Sequence, residues 1–205
     1  MEEFKDIILP VLAAFIICLF AGPFIIKAMQ KLKFGQQVRD DGPKSHLSKQ
    51  NTPTMGGLIM LVGIIVPALI FRLSGMAMIA CLVAFAYGIV GFLDDFIKIV
   101  KKRSLGLKAY QKIIGQFGIA LITALYAYYS PEIGSSIYLP FSGGEFNLGW
   151  AYIPVAVFVI IALVNASNLT DGLDGLDSGA SLIIMGAFTI IITYLSAGAF
   201  AAGDS

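Results

Sequence analysis

Six apolar runs constrain this chain more than any other feature of its sequence. They cover Ile7 to Ile26, Met55 to Leu73, Met76 to Leu93, Ile113 to Tyr129, Trp150 to Val164 and Ser178 to Phe200. A helix that crosses a bilayer needs about 20 mostly apolar residues, and each run approaches or reaches that length. Charged residues make up 13% of the 205 and hydrophobic residues 58%, whereas a soluble domain carries roughly 25% charged residues. So little polar material cannot cover a water-facing surface. The expected fold is an all-α polytopic membrane protein with six transmembrane helices. Pro10, Pro23 and Pro67 fall inside the runs, which membrane helices tolerate better than soluble ones. Cys18 and Cys81 lack the spacing of a zinc site or a disulfide framework and read as packing residues within the bilayer. The acidic start (Glu2, Glu3) and the length of the first run argue against a cleavable signal peptide.

Lys and Arg set the orientation. Lys27, Lys31, Lys33, Arg39, Lys44 and Lys49 crowd one connection; Lys98, Lys101, Lys102, Arg103, Lys108 and Lys112 crowd another. Of the 14 basic residues, only Lys5 and Arg72 lie elsewhere, and residues 130–149 contain none. The N-terminus is therefore expected outside, with the connections after runs one, three and five in the cytoplasm. The external stretch alternates β-formers from Ser136 to Phe141, turns at Ser142-Gly143-Gly144 and alternates again from Glu145 to Trp150. That pattern predicts a small β-hairpin lying on the membrane face.

The unusual polar residues gather on the cytoplasmic side. Asp94 and Asp95 close the third run, where a helix C-terminus disfavours negative charge. Lys98, three and four residues on, is placed to neutralise one of them, which still leaves negative charge at a costly depth. Ionisable groups there point to function, and hard oxygen donors suit Mg²⁺, which uses one or two carboxylates together with substrate phosphates. After the fifth run, Asn165, Asn168, Asp171, Asp174 and Asp177 stand among glycines, with no cation in the stretch. Asp177 or Ser178 is placed to cap the sixth helix. Asp171 and Asp174 share a face if the stretch is helical, and amides with carboxylates suit a uracil edge and ribose hydroxyls. The first cytoplasmic connection ends in Thr52-Pro53-Thr54-Met55-Gly56-Gly57, a helix entry suited to anions. His46, the lone histidine, reads equally as a hydrogen-bonding brace or an acid–base group. The Lys98–Gln116 stretch is basic, with Lys112 and Gln116 one helical turn apart, and suits lipid-carrier phosphates or anionic headgroups alike.

Three motifs in this order carry a resemblance: Gly42-Pro43-Lys44-Ser45-His46 with Thr52 to Gly57, then Asp94-Asp95 with Lys98, then Asn165, Asn168, Asp171-Gly172 and Asp174-Gly175-Leu176. The whole chain resembles the polyprenyl-phosphate N-acetylhexosamine-1-phosphate transferases (glycosyltransferase family 4). The first motif favours their phospho-N-acetylmuramoyl-pentapeptide transferase branch. The resemblance implies a Mg²⁺-dependent transfer from UDP-MurNAc-pentapeptide to undecaprenyl phosphate, giving lipid I and UMP. It further implies Asp94 and Asp95 as catalytic residues and metal ligands, and Lys49, Thr54, Lys98, Asn165, Asn168, Asp171 and Asp174 at the substrate. A bacterial inner-membrane location, a homodimer and no nucleic-acid partner follow in the same way. Asn51 stands where the family commonly has glycine, and asparagine tolerates the left-handed backbone that glycine would supply. Family members have about ten spans, with a third catalytic aspartate and a histidine-rich loop in the C-terminal part. Residues 1–205 are thus expected to form one transferase domain, incomplete at the C-terminus, with the main metal ligand beyond residue 205. The alternatives are a UDP-GlcNAc-using sibling, an inactive membrane scaffold and, least consistent with polar residues gathered at the cytoplasmic ends, a transporter.

Overall fold

The computed structural model describes residues 2–32, 55–73, 75–101, 106–139, 144–172 and 175–202. Six α-helices appear where the six apolar runs lie: α1 (Glu2–Lys31), α2 (Gly57–Ile70), α3 (Met76–Val100), α4 (Ala109–Tyr129), α5 (Tyr152–Thr170) and α6 (Leu176–Ala202). Between α4 and α5 stands a hairpin of β1 (Ser136–Leu139) and β2 (Gly144–Asn147).

Four of the six helices are long and apolar enough to cross a membrane: α1, α3, α5 with its short 3₁₀ lead-in, and α6. The 14 residues of α2 rise only about 21 Å, short of a hydrocarbon core of roughly 30 Å. The 21 residues of α4 have the length, but Gln111, Lys112 and Gln116 make its first half polar. The architecture is that of a polytopic helical membrane protein. No more than 6% of any of the four apolar windows is buried within the chain, so the apolar surface faces outward. Leu182, Ile183, Ile190 and Tyr194 on α6 are all more than 70% exposed.

Consecutive helices pack on one another from α1 through α5, and the contacts fix antiparallel registers. Cys18 and Gly22 on α1 meet Gly63 and Ile59 on α2, the higher number on one helix facing the lower on the other. The Cys18 thiol donates to the Ile59 carbonyl at 3.6 Å. A Cβ at position 63 would overlap the Cys18 sulfur. Small residues at such crossings let helix backbones approach where lipid supplies no hydrophobic drive. Between α4 and α5, Ala120, Ala124 and Val157 form the most buried apolar cluster among the described residues.

The hairpin agrees with the sequence reading, with Ser136 opposite Asn147 and Leu139 opposite Gly144. Its second strand stops earlier than expected, because Asn147 Oδ1 accepts from both Ser135 Oγ (2.9 Å) and the Gly149 N–H (2.7 Å). Gly149 then takes a positive φ of 51° and opens the 3₁₀ turn Gly149–Ala151. The Trp150 ring stacks on Tyr128 with centroids 5.2 Å apart. The turn residues Ser142 and Gly143 lie outside the described residues.

Candidate functional site

The last turns of α3, the first turns of α4 and the last turns of α5 meet at the end of the bundle opposite the hairpin. Asp94 and Asp95 lie on the final two turns of α3. Lys98 on the same helix reaches both: its Nζ is 2.6 Å from Asp94 Oδ2 and 2.9 Å from Asp95 Oδ1. The sequence suggested one pairing; helical geometry permits both at once, since Lys98 is i+4 from one carboxylate and i+3 from the other. The Asp94 side chain is 15% exposed and that of Asp95 30%, so Asp95 is the more open of the two.

Asp94 is also held from the connection to α4. Its Oδ1 accepts the Leu107 N–H at 2.8 Å, and a Cβ on Gly106 would collide with the Asp94 carbonyl and carboxylate. The backbone passes this close because position 106 has no side chain. Lys108 then opens α4, its N–H accepted by Gln111 Oε1 at 3.0 Å, which satisfies one of the donors a helix start leaves over.

Two side-chain rungs join α4 to α5. Lys112 Nζ donates to Asn168 Oδ1 at 2.8 Å. One turn deeper, Asn165 Nδ2 donates to Gln116 Oε1 at 2.9 Å and to the Ile161 carbonyl at 2.8 Å. Gln116 is only 1% exposed, and its backbone carbonyl accepts the Tyr87 hydroxyl from α3 at 3.1 Å. The antiparallel register pairs 112 with 168 and 116 with 165, so the 4-residue spacing on one helix meets the 3-residue spacing on the other. The sequence marked all four residues. It gave no sign that they pair, nor that Tyr87 or Gly106 belongs with them; only the absence of a side chain at 106, close before α4, hinted at a close approach.

Beyond Thr170 the helix ends, and Asp171 stands in a turn with its N–H on the Ser167 carbonyl at 3.0 Å. Asp171 and Gly172 thus lie in the turn beyond α5, and Asp174 lies outside the described residues. The Asp177 Oδ1 accepts the Ser167 hydroxyl at 2.8 Å, tying the start of α6 to the end of α5. Asp177 occupies the first turn of α6, where negative charge favours the dipole. Lys49, Thr54, Asp174 and His46 lie outside the described residues, as does Asn51.

Among the described residues, no three histidine, cysteine, aspartate or glutamate side chains come close enough together to hold a metal ion. Asp94 and Asp95 are the two neighbouring carboxylates at the end of α3. Such a pair fits Mg²⁺, which typically keeps waters and takes the rest of its ligands from substrate phosphates, but the oxygens facing that position are those Lys98 now contacts.

Comparisons with known proteins bear on the same residues. Residues 76–203 match the model of glycosyl transferase family 4, and residues 49–61 match signature 1 of the phospho-N-acetylmuramoyl-pentapeptide-transferases. The chain is 48% identical over 186 residues to the phospho-N-acetylmuramoyl-pentapeptide-transferase of Clostridioides difficile, a match covering 90% of this chain and 58% of that protein. It is 49% identical over 192 residues to the protein of that name from Caldicellulosiruptor bescii, covering 93% and 59% respectively. The corresponding Bacillus thuringiensis protein is 46% identical over 183 residues, covering 87% and 56%. The chain thus spans a little under three fifths of the length of these relatives.

Proposed function

The chain belongs to glycosyl transferase family 4, and from that premise we propose that it carries out the transfer for which its relatives are named: phospho-MurNAc-pentapeptide passes from UDP-MurNAc-pentapeptide to undecaprenyl phosphate. An oxygen of the lipid phosphate attacks the β-phosphorus of the nucleotide sugar, the bond to the α-phosphate breaks, and UMP leaves as lipid I forms. Residues 1–205 contribute one membrane-embedded transferase domain. The face formed by the ends of α3 and α5 and the start of α4 is cytoplasmic, in the inner membrane of a bacterium.

The convergence of Asp94, Asp95, Lys98, Lys112 and Asn168 on one end of three helices carries this reading. Phosphoryl transfer asks the protein for positioning and charge neutralisation more than for covalent chemistry. Asp94, fixed by Lys98 and Leu107, orients the acidic pair; the more open Asp95 takes the proton of the attacking lipid phosphate. Lys112 lies where an anionic phosphate meets its charge, while Asn165, Asn168 and Asp171, with Lys49, Thr54 and Asp174, serve the nucleotide. Mg²⁺ held at Asp94 and Asp95 would supply neutralisation of the diphosphate charge. A homodimer is proposed from the family alone.

The test is UMP release and lipid I formation by membranes carrying the protein expressed from its full reading frame. UDP-MurNAc-pentapeptide is expected to be consumed and UDP-GlcNAc not. Asp94→Asn and Asp95→Asn are each expected to lower turnover by at least about 10²-fold, with membrane insertion unchanged. Consumption of UDP-GlcNAc instead would assign the protein to the sibling chemistry. Near-normal turnover in both variants would remove the acidic pair from the mechanism.

A further inference from the structure

Gln116, Ala120 and Ala124 recur at four-residue intervals along α4, each 1% exposed or less. The two alanines pack with Val157 of α5. An apolar side chain at 116 would continue that packing, whereas a buried amide costs free energy unless it is hydrogen-bonded. A polar residue kept at such depth in a membrane helix points to function. The backbone at this position is held from α3, where the Tyr87 hydroxyl donates to the Gln116 carbonyl at 3.1 Å. One turn on from Tyr87, Val90 lies 3.5 Å from where a Cβ on Gly115 would stand. With its backbone fixed toward α3, Gln116 extends its side chain to Asn165 of α5.

An asparagine amide can turn either end to a neighbour, and here the partners decide which. The Ile161 carbonyl only accepts, so it takes one N–H of Asn165 at 2.8 Å; Gln116 Oε1 takes the other at 2.9 Å. Both amide hydrogens are spent, and Asn165 keeps its Oδ1 to offer. An ammonium only donates, so Lys112 draws Asn168 Oδ1 at 2.8 Å, and Asn168 keeps its N–H groups to offer. Positions 165 and 168 are neighbours on one helix face. The last turns of α5 therefore present an acceptor beside donors. A nucleoside matches that pair: the uracil imide sets an N–H between two carbonyl oxygens, and ribose hydroxyls both donate and accept.

We propose that Gln116 is a positioning residue for the nucleotide: from the buried face of α4 it fixes the Asn165 amide so that the carbonyl oxygen, not an N–H, meets the ligand. This rests on the reading that Asn165 and Asn168 serve the nucleotide. It adds that a side chain out of the ligand's reach sets which end of Asn165 the ligand finds. Without Gln116 the amide is held at one point instead of two, and a freed N–H competes with Oδ1 for the same place.

The test is the binding of radiolabelled UMP, by equilibrium dialysis, to the protein expressed from its full reading frame and purified in nanodiscs. Gln116→Met, near in length but without the acceptor, is expected to raise the Kd about five- to tenfold. Gln116→Asn, which keeps the amide but falls a methylene short of Asn165, is expected to do the same. Gln116→Glu, which keeps an acceptor oxygen at full reach, is expected to stay within about threefold of the unaltered protein. Adding Gln116→Met to Asn165→Ala is expected to weaken binding no further than Asn165→Ala alone, because Gln116 acts through Asn165.

A role in folding alone would lower the number of binding sites and leave the Kd where it was. An unchanged Kd in both the Met and Asn variants would overturn the proposal. So would full additivity with Asn165→Ala, or an unaltered protein that does not bind UMP. Turnover enters none of these measurements. A protein that binds UMP yet releases none from UDP-MurNAc-pentapeptide or UDP-GlcNAc would sink the transferase reading, and the affinities would still decide this one.

Discussion

At Gly106 a single missing side chain decides how an aspartate is held. A methyl group there would drive into the Asp94 carbonyl and carboxylate, and the Leu107 N–H would lose its 2.8 Å bond to Oδ1. Hydrogen bonds to charged groups contribute about 1.5–3 kcal/mol. Gly106→Ala is therefore expected to lower UMP release by roughly tenfold or more, while Gly91→Ala on α3, where an added Cβ meets open space, leaves it within about twofold. Equal activity of the two variants would show that the grip on Asp94 is dispensable. The site was legible in the sequence only as far as local geometry reaches. The Asp94–Lys98–Asp95 contact follows from spacings of three and four on one helix. The Leu107 grip joins residues 13 apart through a connection of no regular period, and the Lys112–Asn168 rung joins residues 56 apart; no periodicity encodes either. Asp171 stands in the turn beyond α5, and its partner in the sequence reading, Asp174, lies outside the described residues.

Each helix was legible from its apolar run, and each boundary error has a physical cause. Counting apolar residues ends the third run at Leu93, yet α3 continues to Val100, with Lys98 pairing both acids along one face of that polar last stretch. Likewise α4 starts at Ala109 rather than at Ile113, with Gln111 closing its first turn. Which helices touch, and through which residues, was not legible. The α1–α2 crossing turns on Gly63 lying against Cys18, a glycine that looked no different from its neighbours in an apolar run. Overpacking a fitted site costs about 1–3 kcal/mol. Gly63→Ala is expected to lower the midpoint of thermal unfolding in detergent by several degrees, and Cys18→Ala in the same chain is expected to restore most of that loss by making room. If the double variant melts no higher than Gly63→Ala alone, this crossing is not where the two helices are closest.

For the whole molecule, the open question of physics is which end faces the cytoplasm. The structure separates two ends by composition. One carries the acidic pair with Lys98, Lys101, Lys108 and Lys112; the other carries the hairpin, where residues 130–149 contain no Lys or Arg. The second end also presents aromatic rings at the start of α5 and the end of α4, with Trp150 69% and Tyr129 67% exposed and Tyr128 stacked on Trp150. Such rings favour the boundary between acyl chains and headgroups, whereas the excess of Lys and Arg favours the cytoplasmic side. Together they predict the hairpin at the outer boundary and the acidic pair inside, the side on which the proposed transfer needs its soluble nucleotide sugar. The prediction is tested with Cys18 and Cys81 replaced by alanine and one cysteine introduced at a time, at exposed Glu145 on β2 or exposed Lys101 after α3. In intact spheroplasts a membrane-impermeant maleimide is expected to label Glu145→Cys and spare Lys101→Cys; after permeabilisation both are expected to react. Labelling of Lys101→Cys in intact spheroplasts would invert the orientation. The acidic face would then open away from the nucleotide pool, and the proposed transfer would lose its donor whatever the site's geometry allowed.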